Sequence, residues 1–71
     1  MSIREILAAN MKALRRLRGF SQEELAFRAD IDRTYVSLLE RKKYGATVDV
    51  LAKIADALGV EPFELLKPRK R

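Results

Sequence analysis

The chain has no cysteine and no histidine among its 71 residues. Without thiols, no disulfide supports the fold and no thiolate site exists, which suits a reducing cytosol. Without imidazole, the commonest general base and the commonest zinc ligand are both missing. No apolar run approaches the roughly 20 residues that a membrane span requires. The start, MSIREILAAN, is too polar for a signal-peptide core. A cytoplasmic protein with no membrane partner is expected. There is no internal repeat, no alternating strand pattern and no glycine-rich phosphate loop. Hydrolysis without His or Cys needs a carboxylate metal site. The 10 acids show no spacing for one. The acidic pairs Glu23-Glu24 and Asp30…Asp32 are accounted for by helix starts and a turn. No catalysis, metal, cofactor or small-molecule ligand is expected.

What remains is one small domain with no room for a second core. Its net charge of +5 is unevenly spread. The tail KPRKR, residues 67–71, holds four of the 15 basic residues and no acid, so residues 1–66 carry 11 basic against 10 acidic groups. A nearly neutral body binds nucleic acid only if its positive charge is segregated on one face. The local clusters are Lys12, Arg15, Arg16 and Arg18, then Arg41, Lys42 and Lys43. Each cluster alone fits a solvated surface equally well. The expected division is a folded domain over 1–66 and a basic disordered tail over 67–71.

The folded part reads as five helices. Ser2 with Glu5 forms a capping box, and Ile3, Ile6, Leu7, Met11, Leu14 and Leu17 recur at helical spacing. That helix runs to about Arg18, with Gly19 placed for a left-handed end. Ser21 with Glu24 is a second capping box, opening a helix from Gln22 to about Arg28. Phe20 can pack back as a staple. After the turn Ala29-Asp30-Ile31, Asp32 caps a third helix from Arg33 to about Arg41, with Val36 and Leu39, three apart, forming an inward stripe behind Ile31. Lys42 to Ala46 is a loop with Gly45 as its flexible point. Thr47 caps a fourth helix that buries Val48, Leu51, Ala52, Ala55 and Leu58 and ends at Gly59. Pro62 suits the first turn of a short fifth helix carrying Phe63, Leu65 and Leu66.

The stretch SQEELAFRADIDRTYVSLLER, Ser21 to Arg41, carries most of the functional information. Two short helices joined by so tight a turn cross steeply, leaving the second proud of the body. A helix about 10–12 Å across fits the major groove of B-DNA. On spacing alone, a helical hairpin within an ordinary bundle fits too.

This segment resembles the helix-turn-helix of the lambda-repressor and Cro-like regulators, the XRE family. LRRLRGFSQEELA resembles the approach to that motif, and TVDVLAKIADALGVEPFELL its fourth and fifth helices. The resemblance implies an all-α, five-helix lambda-repressor-like bundle whose second and third helices form the reading motif. It implies double-stranded DNA as partner and transcriptional regulation as function. It places Arg33, Thr34, Ser37 and Leu38 at base-facing positions. Arg33 can pair with guanine O6 and N7, and Leu38 can touch a thymine methyl. A core role for Leu38 is the alternative, since Leu38 and Leu39 are adjacent and cannot point the same way. Gln22, Arg41, Lys43 and Tyr44 match contacts to the phosphate backbone, and the resemblance implies that Gln22 also braces the start of the reading helix. Arg15 and Glu40 match a structural ion pair between the first and third helices, so Arg15 is not counted as a DNA contact.

Similar small regulators commonly dimerise through the last helix, which implies a homodimer held by Phe63, Leu65 and Leu66. Closing the monomer core is the other use for those residues. A two-fold dimer sets its reading helices about 34 Å apart, one turn of DNA, on a palindromic operator. In size and layout the chain resembles restriction–modification controller proteins. An antitoxin of a toxin–antitoxin pair, a phage-type repressor and a protein-binding helical module are the alternatives. Three departures from the family pattern stand out. Asp30 replaces a usual glycine. Asp32 replaces a serine or threonine able to touch phosphate, so it should only cap. Lys42 and Ala46 replace a frequent glycine and proline.

Overall fold

The computed structural model describes residues 1–68. The first helix, α1, spans Ile3–Leu17. Ser2 Oγ accepts from the Glu5 N–H at 3.2 Å, and Glu5 Oε1 accepts from the Ser2 N–H at 2.8 Å. Both halves of the capping box are therefore formed. The Ser2 N–H holds the Glu5 carboxyl below the usual carboxylate range, with a smaller contribution from Lys42. The second helix, α2, spans Gln22–Ala29, and Ser21 Oγ accepts from the Glu24 N–H at 3.0 Å. Here only half of the expected box exists. The Glu24 carboxylate turns to Arg28 Nε, 2.6 Å away, because an arginine one turn on competes for it. Asp32 Oδ1 opens α3, Arg33–Glu40, by accepting from the Thr34 N–H at 2.7 Å. Thr47 Oγ1 opens α4, Val48–Leu58, by accepting from the Val50 N–H at 3.1 Å.

The four α-helices also end alike. A left-handed residue is followed by one whose N–H reaches back five positions to a carbonyl. These bonds run from Phe20 to Arg15 and from Ile31 to Ala26 at 3.0 Å, from Lys43 to Leu38 at 2.9 Å, and from Val60 to Ala55 at 3.0 Å. The left-handed residues are Gly19, Asp30, Lys42 and Gly59, at φ 75°, 57°, 64° and 73°. Glycine adopts this region freely and aspartate tolerates it. Lysine has neither excuse. The bend after α3 therefore lies at Lys42 rather than at the expected Gly45, because the helix end itself demands the left-handed step.

Leu7 and Met11 from α1, Leu25 from α2, Val36 and Leu39 from α3, and Ile54 and Leu58 from α4 meet in one core. Ala26, Ala29 and Ala55 let the helices approach closely. The spacing of α4 is corrected here. Its inward row is Leu51, Ile54, Ala55 and Leu58, while Val48 and Ala52 are exposed. Ile3, Leu17 and Val48 lie in terminal turns that project past the core.

The expected fifth helix is a single 3₁₀ turn, Pro62–Leu65, giving four α-helices and no strand among the described residues. Its bonds, Glu64 N–H to Glu61 O at 2.9 Å and Leu66 N–H to Phe63 O at 3.0 Å, span three residues each. Asn10, fully buried on α1, clamps this turn by donating Nδ2 to Leu65 O and Lys67 O, both at 2.9 Å. Lys67, assigned to the tail by composition, is thereby tied to the body. Residues 69–71 of that expected tail lie outside the described residues. No described helix is long and apolar enough to cross a membrane.

Candidate nucleic-acid interface

The motif is built from the turn outward. Asp30, left-handed at φ 57° and ψ 49°, lets the Ile31 N–H close the end of α2. Ile31 then packs half-buried on the core, and Asp32 starts α3. On α3, each residue turns the side chain by roughly 100°. Val36, Leu39 and Glu40 face inward and are buried. The row opposite them holds Thr34, Leu38 and Arg41, with Ser37 beside it and Arg33 at the leading end. Arg33, Thr34 and Arg41 are exposed, and Ser37 and Leu38 are half-exposed. Leu38 is absent from the side chains packed on the core, whereas Leu39 is 1% exposed. The choice between the two leucines is thus settled: Leu39 is core and Leu38 points away.

Gln22 and Arg33 come together from different helices. They line one shallow concavity with Ser21 and Arg15, and Glu23 brings a carboxylate to the same place. Arg15 and Glu40 form a buried pair, with Nε to Oε2 at 2.7 Å and Nη2 to Oε1 at 3.1 Å. Arg15 Nη1 also donates to Phe20 O at 2.9 Å, fixing the link between α1 and α2. Gln22 is half-buried, and its Nε2 donates to Glu40 Oε1 at 3.0 Å. Gln22 thus braces α3 at its last residue, Glu40, rather than at its start as the resemblance implied, because the buried carboxylate supplies the acceptor.

Beyond α3, Lys43 and Tyr44 are exposed. The Tyr44 ring stands edge-on to Tyr35, with centroids 6.3 Å apart at 75°. Tyr35 is half-buried against the core, and its hydroxyl lies 3.4 Å from Gly45 O. Tyr35 therefore braces the loop bearing Lys43 and Tyr44, a role that spacing did not reveal. An aromatic flanking the buried Val36 was its only trace. Lys42 parts from this group. It lines a groove on the α1 side with Met1, Glu5 and Lys12.

The three residues expected at a dimer interface separate in the structure. Phe63 is 61% exposed, with the Lys67 ammonium 5.9 Å from its ring centroid. Leu66 is half-buried. Leu65 has no exposed surface and belongs to the monomer core, so it is withdrawn from that interface. With three residues per turn, Phe63 and Leu66 share one face, while Leu65, about a third of a turn away, points into the core. No grouping of acids that could hold a metal occurs among the described residues.

A helix-turn-helix family model, HTH_3, matches residues 11–65. A Neisseria hypothetical transcription factor from Neisseria meningitidis is 47% identical over 66 residues, covering 93% of this chain. This chain spans 62% of that protein's length. The crystal structure bearing the same description superposes with a TM-score of 0.92 at 46% identity, over 94% of this chain and 77% of that one. The control protein C.SmaI from Serratia marcescens is 39% identical over 93% of this chain and 79% of its own length. The restriction–modification controller protein C.AhdI from Aeromonas hydrophila gives a TM-score of 0.84 at 37% identity, covering 87% and 94% of the two chains.

Proposed function

We propose that this chain, which belongs to the HTH_3 helix-turn-helix family of transcriptional regulators, acts as a homodimeric controller of a restriction–modification operon and reads a palindromic operator with α3. The observation that carries the reading is the division of α3. Val36, Leu39 and Glu40 anchor it, which frees Arg33, Thr34, Ser37 and Leu38 to meet base edges. Arg33 pairs with guanine O6 and N7, Thr34 and Ser37 hydrogen-bond bases or phosphates, and Leu38 packs on a thymine methyl. Gln22, Arg41, Lys43 and Tyr44 hold the backbone on either side and set the register. Asp32 spends its carboxylate on the Thr34 N–H and makes no phosphate contact.

Phe63 and Leu66 are the apolar surface offered to a second copy. A two-fold pairing there places the two α3 helices about 34 Å apart, facing successive major grooves. The relatives named as control proteins, and the similar solved structures named as restriction–modification controller proteins, support the controller assignment. Regulation then follows protein concentration, because dimerisation and site occupancy both rise with it. Selection of bound sequences from a random duplex pool tests the proposal. A palindromic consensus with half-sites one turn apart is expected. Enrichment of a single, non-repeated half-site refutes the dimeric reading, and no enrichment refutes base recognition.

A further inference from the structure

We propose that Glu40 is a positioning residue for DNA binding, holding the Gln22 amide in the orientation that meets the phosphate backbone. This rests on the reading of Gln22 as a backbone contact. Glu40 is 4% exposed. Arg15 occupies both of its oxygens, Nε on Oε2 at 2.7 Å and Nη2 on Oε1 at 3.1 Å. Oε1 takes a further donor, Gln22 Nε2 at 3.0 Å. One buried carboxylate thus joins α1 and α3 to the first residue of α2, at the edge of the concavity that Arg33 shares.

The chemistry of this contact is directional. An ionised carboxylate only accepts hydrogen bonds, so it holds the NH₂ end of the amide and repels the carbonyl end. The orientation of Gln22 is therefore decided before DNA arrives. One N–H is committed to Glu40, and the second stays available to a phosphate oxygen. A glutamine left loose at a helix start loses about two- to tenfold in affinity when binding immobilises it. Prior restraint by Glu40 removes that loss. The ion pair with Arg15 does not itself require a third donor, so the Gln22 bond adds a role beyond architecture.

The test is a double-mutant cycle on binding to a fixed mixed-sequence duplex at low salt, where backbone contacts dominate. Gln22→Ala is expected to weaken binding about 10- to 150-fold, the effect of losing a hydrogen bond to a charged group. Glu40→Gln should weaken it about two- to tenfold with Gln22 present, and not at all in the Gln22→Ala background. An equal Glu40→Gln loss in both backgrounds overturns the positioning role and leaves the Gln22 contact standing. No effect of Gln22→Ala overturns the contact and the positioning role together. A second measurement needs no variant. Gln22 is the chain's one glutamine, so glutamine-selective labelling separates its side-chain amide from that of Asn10 by NMR. In the DNA-free protein an order parameter near that of rigid backbone, about 0.8, is expected. An amide as mobile as a solvated side chain overturns the proposal even if Glu40→Gln fails to fold.

Discussion

Replacing Lys42 by glycine should make the protein more stable. Lys42 sits at φ 64° because the end of α3 requires a left-handed residue there. That conformation costs a non-glycine residue roughly 1–2 kcal/mol. Glycine returns about 0.4–1 kcal/mol of this through its greater freedom in the unfolded chain. A net gain of about 0.5–1 kcal/mol is expected, which for a domain of this size raises Tm by about 2–8 °C. The lost ammonium does not cancel the gain, because it is exposed and its attraction to Glu5 is screened by solvent. Lys42→Ala removes the same charge but keeps the strained φ, so it should show no gain. Gly19→Ala is the mirror experiment. A Cβ built on Gly19, at φ 75°, meets nothing within 4 Å. Its cost is therefore backbone strain alone, and a loss of about 0.5–1 kcal/mol is expected. Thermal and urea unfolding at one fixed protein concentration measure all three variants. The reasoning is refuted if Lys42→Gly matches or falls below the parent while Gly19→Ala is destabilised as expected.

Arg15→Leu should cost about 3–5 kcal/mol by leaving Glu40 buried without its partner. Adding Glu40→Leu should recover much of that loss in urea unfolding, and an additive double mutant would contradict the pairing. Leu65→Ala should destabilise the fold by about 2–5 kcal/mol. Phe63→Ala should leave unfolding of the isolated chain nearly unchanged while weakening self-association in sedimentation, and unaltered association would remove Phe63 from the interface. Arg33→Ala should relax base choice at one position by about 1–3 kcal/mol. Lys43→Ala should weaken all sites alike and lower the salt slope by about 1; the reverse pattern would exchange their roles. Glu5 carries a lowered carboxyl pKa, so its cap is fully effective above the ordinary glutamate range and fades as pH falls through the lowered value. Amide protection at the start of α1 should fall over that acidic interval, and the fall should vanish if Glu5 is replaced by glutamine, which no longer titrates.

The order of elements was readable because its causes are local. Ser2, Ser21, Asp32 and Thr47 each accept from an N–H two or three residues on, and a cap depends on nothing farther away. Gly19 and Gly59 mark helix ends for the same reason. The inward row of α3 also followed from spacing, since Val36 and Leu39 share a face in any helix. Family resemblance then assigned Arg33, Thr34 and Ser37, and the structure places all three on the surface of α3 away from the core.

Other features depended on what lies across the fold. The half-formed cap at Ser21 required knowing that Arg28 would win Glu24. Spacing put Val48 and Ala52 in the core and passed over Ile54, because a helix pattern does not say how far the neighbouring helices extend. Leu65 and Phe63 read alike in sequence, yet one is wholly buried and the other is 61% exposed. Asn10 lies on the apolar stripe of α1, and its partners are carbonyls more than 50 residues away. Sequence alone therefore determined where helices start and stop and which face of α3 turns outward, through interactions within a few residues. Tertiary structure alone decided that Leu65 is core while Phe63 is exposed, that Tyr35 braces the loop, and that Gln22 shares a carboxylate with Arg15. Those outcomes depend on burial and hydrogen bonds between distant segments, which exist only once the helices have packed.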